Sequence, residues 1–195
     1  VTGQKNVLIH APNQDETMAG AYAANGEDIW LVEGRSYDHS IAVYRMDGDL
    51  TITGSIVDFA GYQSIANVAF SPSGKRLHIS MGSTSPFQIY SRLFDFDLET
   101  GELSNPIDLP LPAWIYQVEF SPDGSKLYIP TNTQIVQYDL SLTTESAIQN
   151  SATVVATGLN AMVGMRRAPD GRIYYAGGGG LRSIAQPNLP GSACD

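Results

Sequence analysis

This 195-residue chain has one cysteine, three histidines and two tryptophans, and its 11 Lys and Arg residues are outnumbered by 20 Asp and Glu. Each scarcity excludes something. A lone Cys194 makes no internal disulfide and no multi-cysteine zinc site. His10, His39 and His78 show no His-x-x-x-His or clustered spacing, so no metal site and no cofactor is expected. A formal net charge of -9 leaves no phosphate-neutralising surface, and a nucleic-acid partner is not expected. No run reaches the roughly 18 apolar residues of a membrane span, so membrane insertion is not expected either. Val1 is not followed by a basic and then apolar leader, and the expectation is a chain that has lost its leader or starts inside a longer protein.

What the chain does have is glycine and proline, 19 and 11 residues, set between short stretches of Val, Ile, Leu, Tyr and Phe. These stretches repeat. Phe70-Ser71-Pro72-Ser73-Gly74-Lys75-Arg76-Leu77-His78-Ile79 matches the segment from Phe120 to Ile129 nearly residue for residue, with Ser121-Pro122-Asp123-Gly124 at its turn. Ala168-Pro169-Asp170-Gly171-Arg172-Ile173-Tyr174 is a third copy, and Asn25-Gly26-Glu27-Asp28-Ile29-Trp30 a degenerate fourth. The turn glycines 26, 74, 124 and 171 lie 48, 50 and 47 residues apart. A period near 50 built of strands fits a β-propeller blade.

The local chemistry agrees. An apolar strand ends at Ser/Ala-Pro, Pro presets the turn, Gly supplies positive φ, and a second strand leaves with an apolar, aromatic, apolar pattern. Third strands end at Asp47, Asp97 and Asp139, read as turn formers. Fourth strands are expected at 55–58, 107–109 and 153–156. The fold class is therefore all-β: about four four-stranded antiparallel blades with little helix, complete or part of a larger propeller, in repeats of approximately 7–50, 51–103, 104–151 and 152–195. The segments around Leu8 and Ile184 are expected to close on each other, or a partner chain to cover the open blade edges by self-association.

The repeat element, followed by Gln137-Tyr138-Asp139-Leu140, resembles bacterial propeller repeats of the YVTN and tryptophan-aspartate-like superfamily. The order of the whole chain from about residue 20, through Phe94-Asp95-Phe96-Asp97 and Thr100-Gly101 to Pro187-Asn188-Leu189-Pro190-Gly191-Ser192-Ala193-Cys194, looks like the propeller region of secreted, gliding-motility-associated surface proteins. That resemblance implies a secreted or cell-surface location, other domains in a larger surface protein, and further blades. Arg167 departs from the pattern, standing where Phe70 and Phe120 stand in the other copies.

No catalytic residue is expected. Ser71 and Ser121 are explained by turn chemistry, and no Gly-x-Ser-x-Gly elbow accompanies them. His78 occupies the repeat position of Trp30, Tyr128 and Tyr174, where packing is the expected role. Loop position is more informative than motif. In a meander blade the second-to-third and fourth-to-first connections emerge at one end, which brings Arg35, Tyr37, His39, Tyr62, Phe87, Trp114 and Tyr116 to a single face as candidate ligand-binding residues. Asp38 and Phe59 fall at the same end. The competing explanation is that several of these tuck beneath the loops as core. The expected function is non-enzymatic recognition or adhesion, with a protein or glycan ligand. The alternative is a lactonase-like or lyase-like propeller enzyme with its site at the central channel.

Glu119 and Arg166 lie five residues before Gly124 and Gly171, at equivalent places on the innermost strands of consecutive blades, where the other copies have Ala21 and Ala69. They are expected to approach each other across the blade interface or through channel water.

Overall fold

The structure is a computed structural model that describes residues 17–35, 40–49, 51–59, 64–84, 87–111, 115, 117–159, 164–177 and 179–195. Among these residues, fifteen strands fall into four antiparallel sheets in which chain order is also spatial order. The first sheet holds β1 (Met18–Tyr22), β2 (Ile29–Arg35), β3 (Ser40–Met46) and β4 (Ile52–Asp58). The second holds β5 (Ser64–Phe70), β6 (Arg76–Thr84), β7 (Phe87–Phe96) and β8 (Leu103–Leu109). The third holds β9 (Glu119–Phe120), β10 (Lys126–Pro130), β11 (Gln134–Asp139) and β12 (Thr153–Thr157). The fourth has three strands among the described residues, β13 (Met165–Arg167), β14 (Ile173–Gly177) and β15 (Gly180–Ile184). This is a four-bladed β-propeller architecture. Leu8 lies outside the described residues, and with it the expected meeting of that segment with Ile184.

The hairpins explain why the repeat is visible in sequence. Gly26, Gly74, Gly124 and Gly171 all have positive φ, between 72° and 82°, and each donates its N–H to the carbonyl three residues back, on Ala23, Ser71, Ser121 and Ala168. Glycine enters this region without the steric penalty of a Cβ. The Asp residues ending third strands form the turns expected of them. Asp47 Oδ1 accepts from the N–H groups of Asp49 and Thr51, and Asp97 Oδ1 from those of Glu99 and Thr100. Asp139 Oδ1 accepts from the Ser141 N–H and also from Lys126 Nζ at 2.9 Å.

Blades stack face to face through three apolar clusters. Trp30, Val32, Ile41 and Val43 of the first blade meet Ile65, Leu77, Ile79 and Phe96 of the second. Leu93 and Leu109 of the second meet Phe120, Leu127 and Tyr138 of the third. Tyr128 and Ile135 of the third meet Met165, Ile173, Tyr175 and Ile184 of the fourth. Burying each such side chain contributes about 1.5–3 kcal/mol. Polar latches set the register of the stack: Trp30 Nε1 donates to the Leu98 carbonyl at 2.8 Å, and Arg76 donates to the Leu140 carbonyl at 3.3 Å. Leu98 and Leu140 both follow the turn-forming Asp of a third strand, so the same corner is grasped at two successive seams.

Two features depart from a pure strand reading. A short helix, α1 (Glu145–Asn150), lies between β11 and β12. Thr144 caps it by accepting from the Ala147 N–H, and Ile148 anchors it in the second cluster. Beyond β15 the chain folds back onto the third blade and ends in a 3-10 turn, Gly191–Cys194. There Tyr128 donates to the Pro187 carbonyl, Gln137 Nε2 donates to the Leu189 carbonyl, and the Gly191 N–H donates to Gln137 Oε1, all at 2.8 Å. Burial pushes the Tyr128 phenol well above its ordinary range and raises the Cys194 thiol, which is 1% exposed.

Two glycines separate backbone strain from crowding. Gly101 has φ +77° and a Cβ there would sit 2.6 Å from the Trp30 ring, whereas Gly26 has φ +72° with open space around it. Gly26→Ala is expected to cost about 1 kcal/mol and Gly101→Ala about 3 kcal/mol or more, because only the latter also displaces Trp30 from the first cluster. Urea unfolding of both variants measures the difference, and equal losses would show that crowding at Trp30 is not felt.

His78 is fully buried, with Nε2 2.7 Å from Ser91 Oγ, and burial lowers its pKa to about 3. Because the folded value lies below the unfolded one, near 6.5, protons bind the unfolded chain preferentially, and stability falls as pH drops from 6.5 towards 3. At pH 5 the expected loss is about 2 kcal/mol. Asp123 and Asp139, though burial alone would raise them, are held below the ordinary carboxyl range by hydrogen bonds, and their contribution is lost only at lower pH. Thermal melts between pH 6.5 and 5 should therefore slope in the parent and be nearly flat in His78→Gln.

Candidate functional site

Antiparallel order fixes which connections share an end. The connections after β2, β4, β6 and β8 leave the same ends of their sheets, and those are the connections that carry the sequence candidates. Tyr37, His39, Tyr62, Trp114 and Tyr116 lie outside the described residues, as do Asp38 and His10. Phe87 is described through its backbone alone, as the first residue of β7 opposite Thr84. Arg35 ends β2 opposite Ser40 and is 7% exposed, so it is enclosed at the blade end rather than held out at a loop tip. Phe59 is likewise enclosed and stacks tilted against Phe94 at 5.8 Å, the outcome in which a loop aromatic becomes core.

The described residues do assemble a site where the four innermost strands converge. Segments 17–20, 66–70, 117–119 and 166–167, one from each blade, line a single cavity of about 950 Å³, with Ile115 and Asn132 completing the wall. Its construction follows from the edge position of those strands. Alternate N–H groups of an innermost strand point away from its own sheet and need an acceptor. The neighbouring blade supplies one. Thr17 Oγ1 accepts from the Val68 N–H at 2.9 Å, Gln117 Oε1 from the Met165 N–H at 3.1 Å, and Glu119 Oε2 from the Arg167 N–H at 3.0 Å. Glu119 Oε1 accepts from the Phe120 N–H at 3.1 Å.

Glu119 and Arg166 stand where the repeat puts them. They are equivalent, lying opposite Tyr128 and Tyr174 in register, and they line the same cavity. No ion pair joins them among the described residues. The carboxylate crosses the seam to the backbone of Arg167, because the edge N–H there has no strand to pair with. Sequence reasoning missed Gln117 and Thr17 in the same role, although polar residues two apart at Gln117 and Glu119 on an otherwise apolar inner strand are the visible signal.

Three further properties mark this cavity. Asn67 lines it at 9% exposure, and its Oδ1 is buried with no hydrogen-bond partner. Arg166 and Arg167 border it and are exposed, and neither guanidinium is paired among the described residues. Among the described residues no group of three or more His, Cys, Asp or Glu is placed to hold a metal ion.

No family model matches the chain, and no curated protein matches it. Solved structures do. The PQQ domain of pyranose dehydrogenase from Coprinopsis cinerea, in its holo form, aligns with a TM-score of 0.58 at 15% identity over 86% of this chain and 47% of its own. A candidate 6-phosphogluconolactonase of Bacteroides uniformis aligns with a TM-score of 0.57 at 18% identity, over 85% and 49%. Hydrazine synthase of Kuenenia stuttgartiensis aligns with a TM-score of 0.56 at 15% identity, over 86% and 57%. At such identities the likeness is one of fold, and the chain spans about half the length of these structures.

If the seam acceptor at Glu119 holds the third and fourth blades together, Glu119→Ala leaves the Arg167 N–H without its partner at a cost of about 1–3 kcal/mol, and Glu119→Gln, which keeps an acceptor, loses less. Hydrogen exchange should show the Arg167 amide deprotected in Glu119→Ala while the Gly124 hairpin amide is unchanged. Equal protection of Arg167 in both proteins would remove the seam role.

Proposed function

We propose that the chain is a non-enzymatic recognition or adhesion module of a secreted or cell-surface bacterial protein, of the gliding-motility-associated kind its repeats resemble, and that it binds a protein or glycan. The contact surface is the loop end carrying Tyr37, His39, Tyr62, Phe87, Trp114 and Tyr116, with Arg35 enclosed beneath it. Support comes from one observation above all: the strand order within each sheet puts the connections after β2, β4, β6 and β8, near which these residues fall in the sequence, at the same end of their sheets. Aromatic side chains presented in this way stack on sugars and anchor protein partners at low entropic cost. The chemistry of the cavity points the same way. Its carboxylate, Glu119, is committed to two backbone N–H groups, and among the described residues no nucleophile stands beside a base there.

A second reading, a lactonase-like or lyase-like enzyme, is favoured by the cavity itself, to which four blades contribute, and by the shared fold of the candidate 6-phosphogluconolactonase. Fold likeness alone does not carry an activity. A glycan and protein binding array on the ectodomain, with metal analysis of the same sample, separates the two. Saturable binding that falls about tenfold or more in a Tyr62→Ala/Trp114→Ala variant is expected. Lactone turnover by the parent, with no array ligand, would overturn the recognition reading.

A further inference from the structure

The stack of blades ends in two uncovered faces. The residue four places before a hairpin glycine faces the preceding blade, and at Phe70 and Phe120 it packs into the first and second clusters. Tyr22 holds that place in the first blade and is 68% exposed. Leu31 stands where Ile79 and Ile129 stand; they are fully buried, whereas Leu31 is half-buried. Register puts Met18, Ile29, Tyr44 and Ile56 on the same side of the sheet as Tyr22 and Leu31. The other end is bare in the same sense. Trp30, His78 and Tyr128, which face the following blade, are all buried, but Tyr174 in their place is not. Arg166, Ala176 and Leu181 share its side of the fourth sheet, and Leu181 is 73% exposed. Contiguous apolar surface of this kind marks a site where another protein surface seats.

The two faces fit each other by the rule that builds the seams within the chain. Every seam sets the following side of one blade against the preceding side of the next, and those are the sides left bare at the fourth and first blades. Both halves of the corner latch are present as well. Gly48 follows Asp47 as Leu98 and Leu140 follow their aspartates, and Arg172 directly precedes Ile173 as the latch donor Arg76 precedes Leu77. Within one chain the faces do not meet, since Met18, Tyr22 and Leu181 would then be covered.

A joint of this head-to-tail kind makes a ring where its rotation closes and a filament where it does not. The chain spans about half the length of the structures whose fold it shares, so four blades of this curvature take up about half a turn. Area also favours closure. Strands about 4.8 Å apart, with about six residues each rising 3.3 Å, give a blade face of roughly 350 Å². One seam covers two such faces, roughly 700 Å², which is short of the ~1,200 Å² of a stable interface, whereas two seams cover roughly 1,400 Å².

We propose that two copies of this chain close one eight-bladed ring, the fourth blade of each seated on the first blade of the other through Tyr174 and Leu181 on one side and Met18, Tyr22 and Ile56 on the other. This goes beyond the recognition reading, which concerns the loop end of the blades, and neither depends on the other.

Sedimentation equilibrium of the full chain between about 1 and 100 μM tests it, and a species of two chains is expected to predominate by about 10 μM. Tyr22→Lys and Leu181→Lys, both at exposed positions, should keep the parent far-ultraviolet circular dichroism and each weaken pairing about tenfold or more, because each buries an ammonium in a seam. Arg172→Ala should weaken it about threefold through loss of the latch. A single chain at every concentration would overturn the proposal, and is the result expected if blades of a longer protein cover these faces instead. A pair that survives Leu181→Lys would overturn it too, since the first blades would then meet back to back, as would growth beyond two chains. The loop variant Tyr62→Ala/Trp114→Ala should sediment as the parent does, so failure here and failure of the array are read separately.

Discussion

The innermost strand of each blade is an edge, and an edge has backbone N–H groups with nothing in its own sheet to accept them. Satisfying that row is the constraint on which the arrangement of blades depends. Apolar clusters hold neighbouring sheets together, but they are non-directional and tolerate sliding. The acceptors at Thr17, Gln117 and Glu119 do not, because each fits one N–H of the next blade, on Val68, Met165 and Arg167. Gln117 and Glu119 are two residues apart, as are their targets, which is the spacing at which N–H groups recur on one side of a strand. The seam between the third and fourth blades is thus read in the same period as a sheet ladder, with side chains standing in for a missing strand.

At the outer corners a second set of directional contacts repeats the logic. The carbonyls of Leu98 and Leu140, each just past the Asp that ends a third strand, are taken by Trp30 and Arg76 of the preceding blade. The Asp turn presents the carbonyl, and the preceding blade supplies a donor long enough to reach it. Between inner acceptors and outer donors, the apolar layer is left to fill space. Where no blade follows among the described residues the layer is bare: Met18, Tyr22 and Ile56 on the first sheet are 68%, 68% and 58% exposed.

Local chemistry was the legible part of this molecule. The hairpin glycines, the Ser-Pro and Ala-Pro entries and the Asp turns each act over three to five residues, so a single sequence carries them completely, and they located strands, blades and the equivalence of Glu119 with Arg166. His78 was legible as a packing residue for the same reason, since the repeat puts it opposite Ala69 as Trp30 is put opposite Ala21. Partners across a seam were not. Glu119 reaches a backbone amide 48 residues away, and nothing in the period says that an N–H outranks the Arg166 guanidinium. The return of 187–191 onto Gln137 and Tyr128 was illegible too, because the two polar side chains it satisfies lie more than fifty residues upstream in strands that read as ordinary. Thr144 is a recognisable helix cap only once Ile148 is known to have a cluster to enter. The loop candidates rested on residue type and connection alone, which assign an end of the fold but no geometry.

The cavity is a by-product of the same constraint. Inner strands must stay far enough apart for side chains, rather than backbone, to bridge them, and Gln117 and Glu119 span the gap. A wall built to satisfy edge amides then consists of polar side chains, some engaged across the seam and some left over. Thr17, Gln117 and Glu119 are engaged; Asn67, Arg166 and Arg167 are left over. Arg167 shows how the two roles meet in one residue. Its backbone closes the seam through Glu119, while its side chain puts an exposed charge where the other copies carry Phe70 and Phe120 in apolar contacts. The break in the repeat thus falls on the innermost strand of the fourth blade, where residues of all four blades line one space.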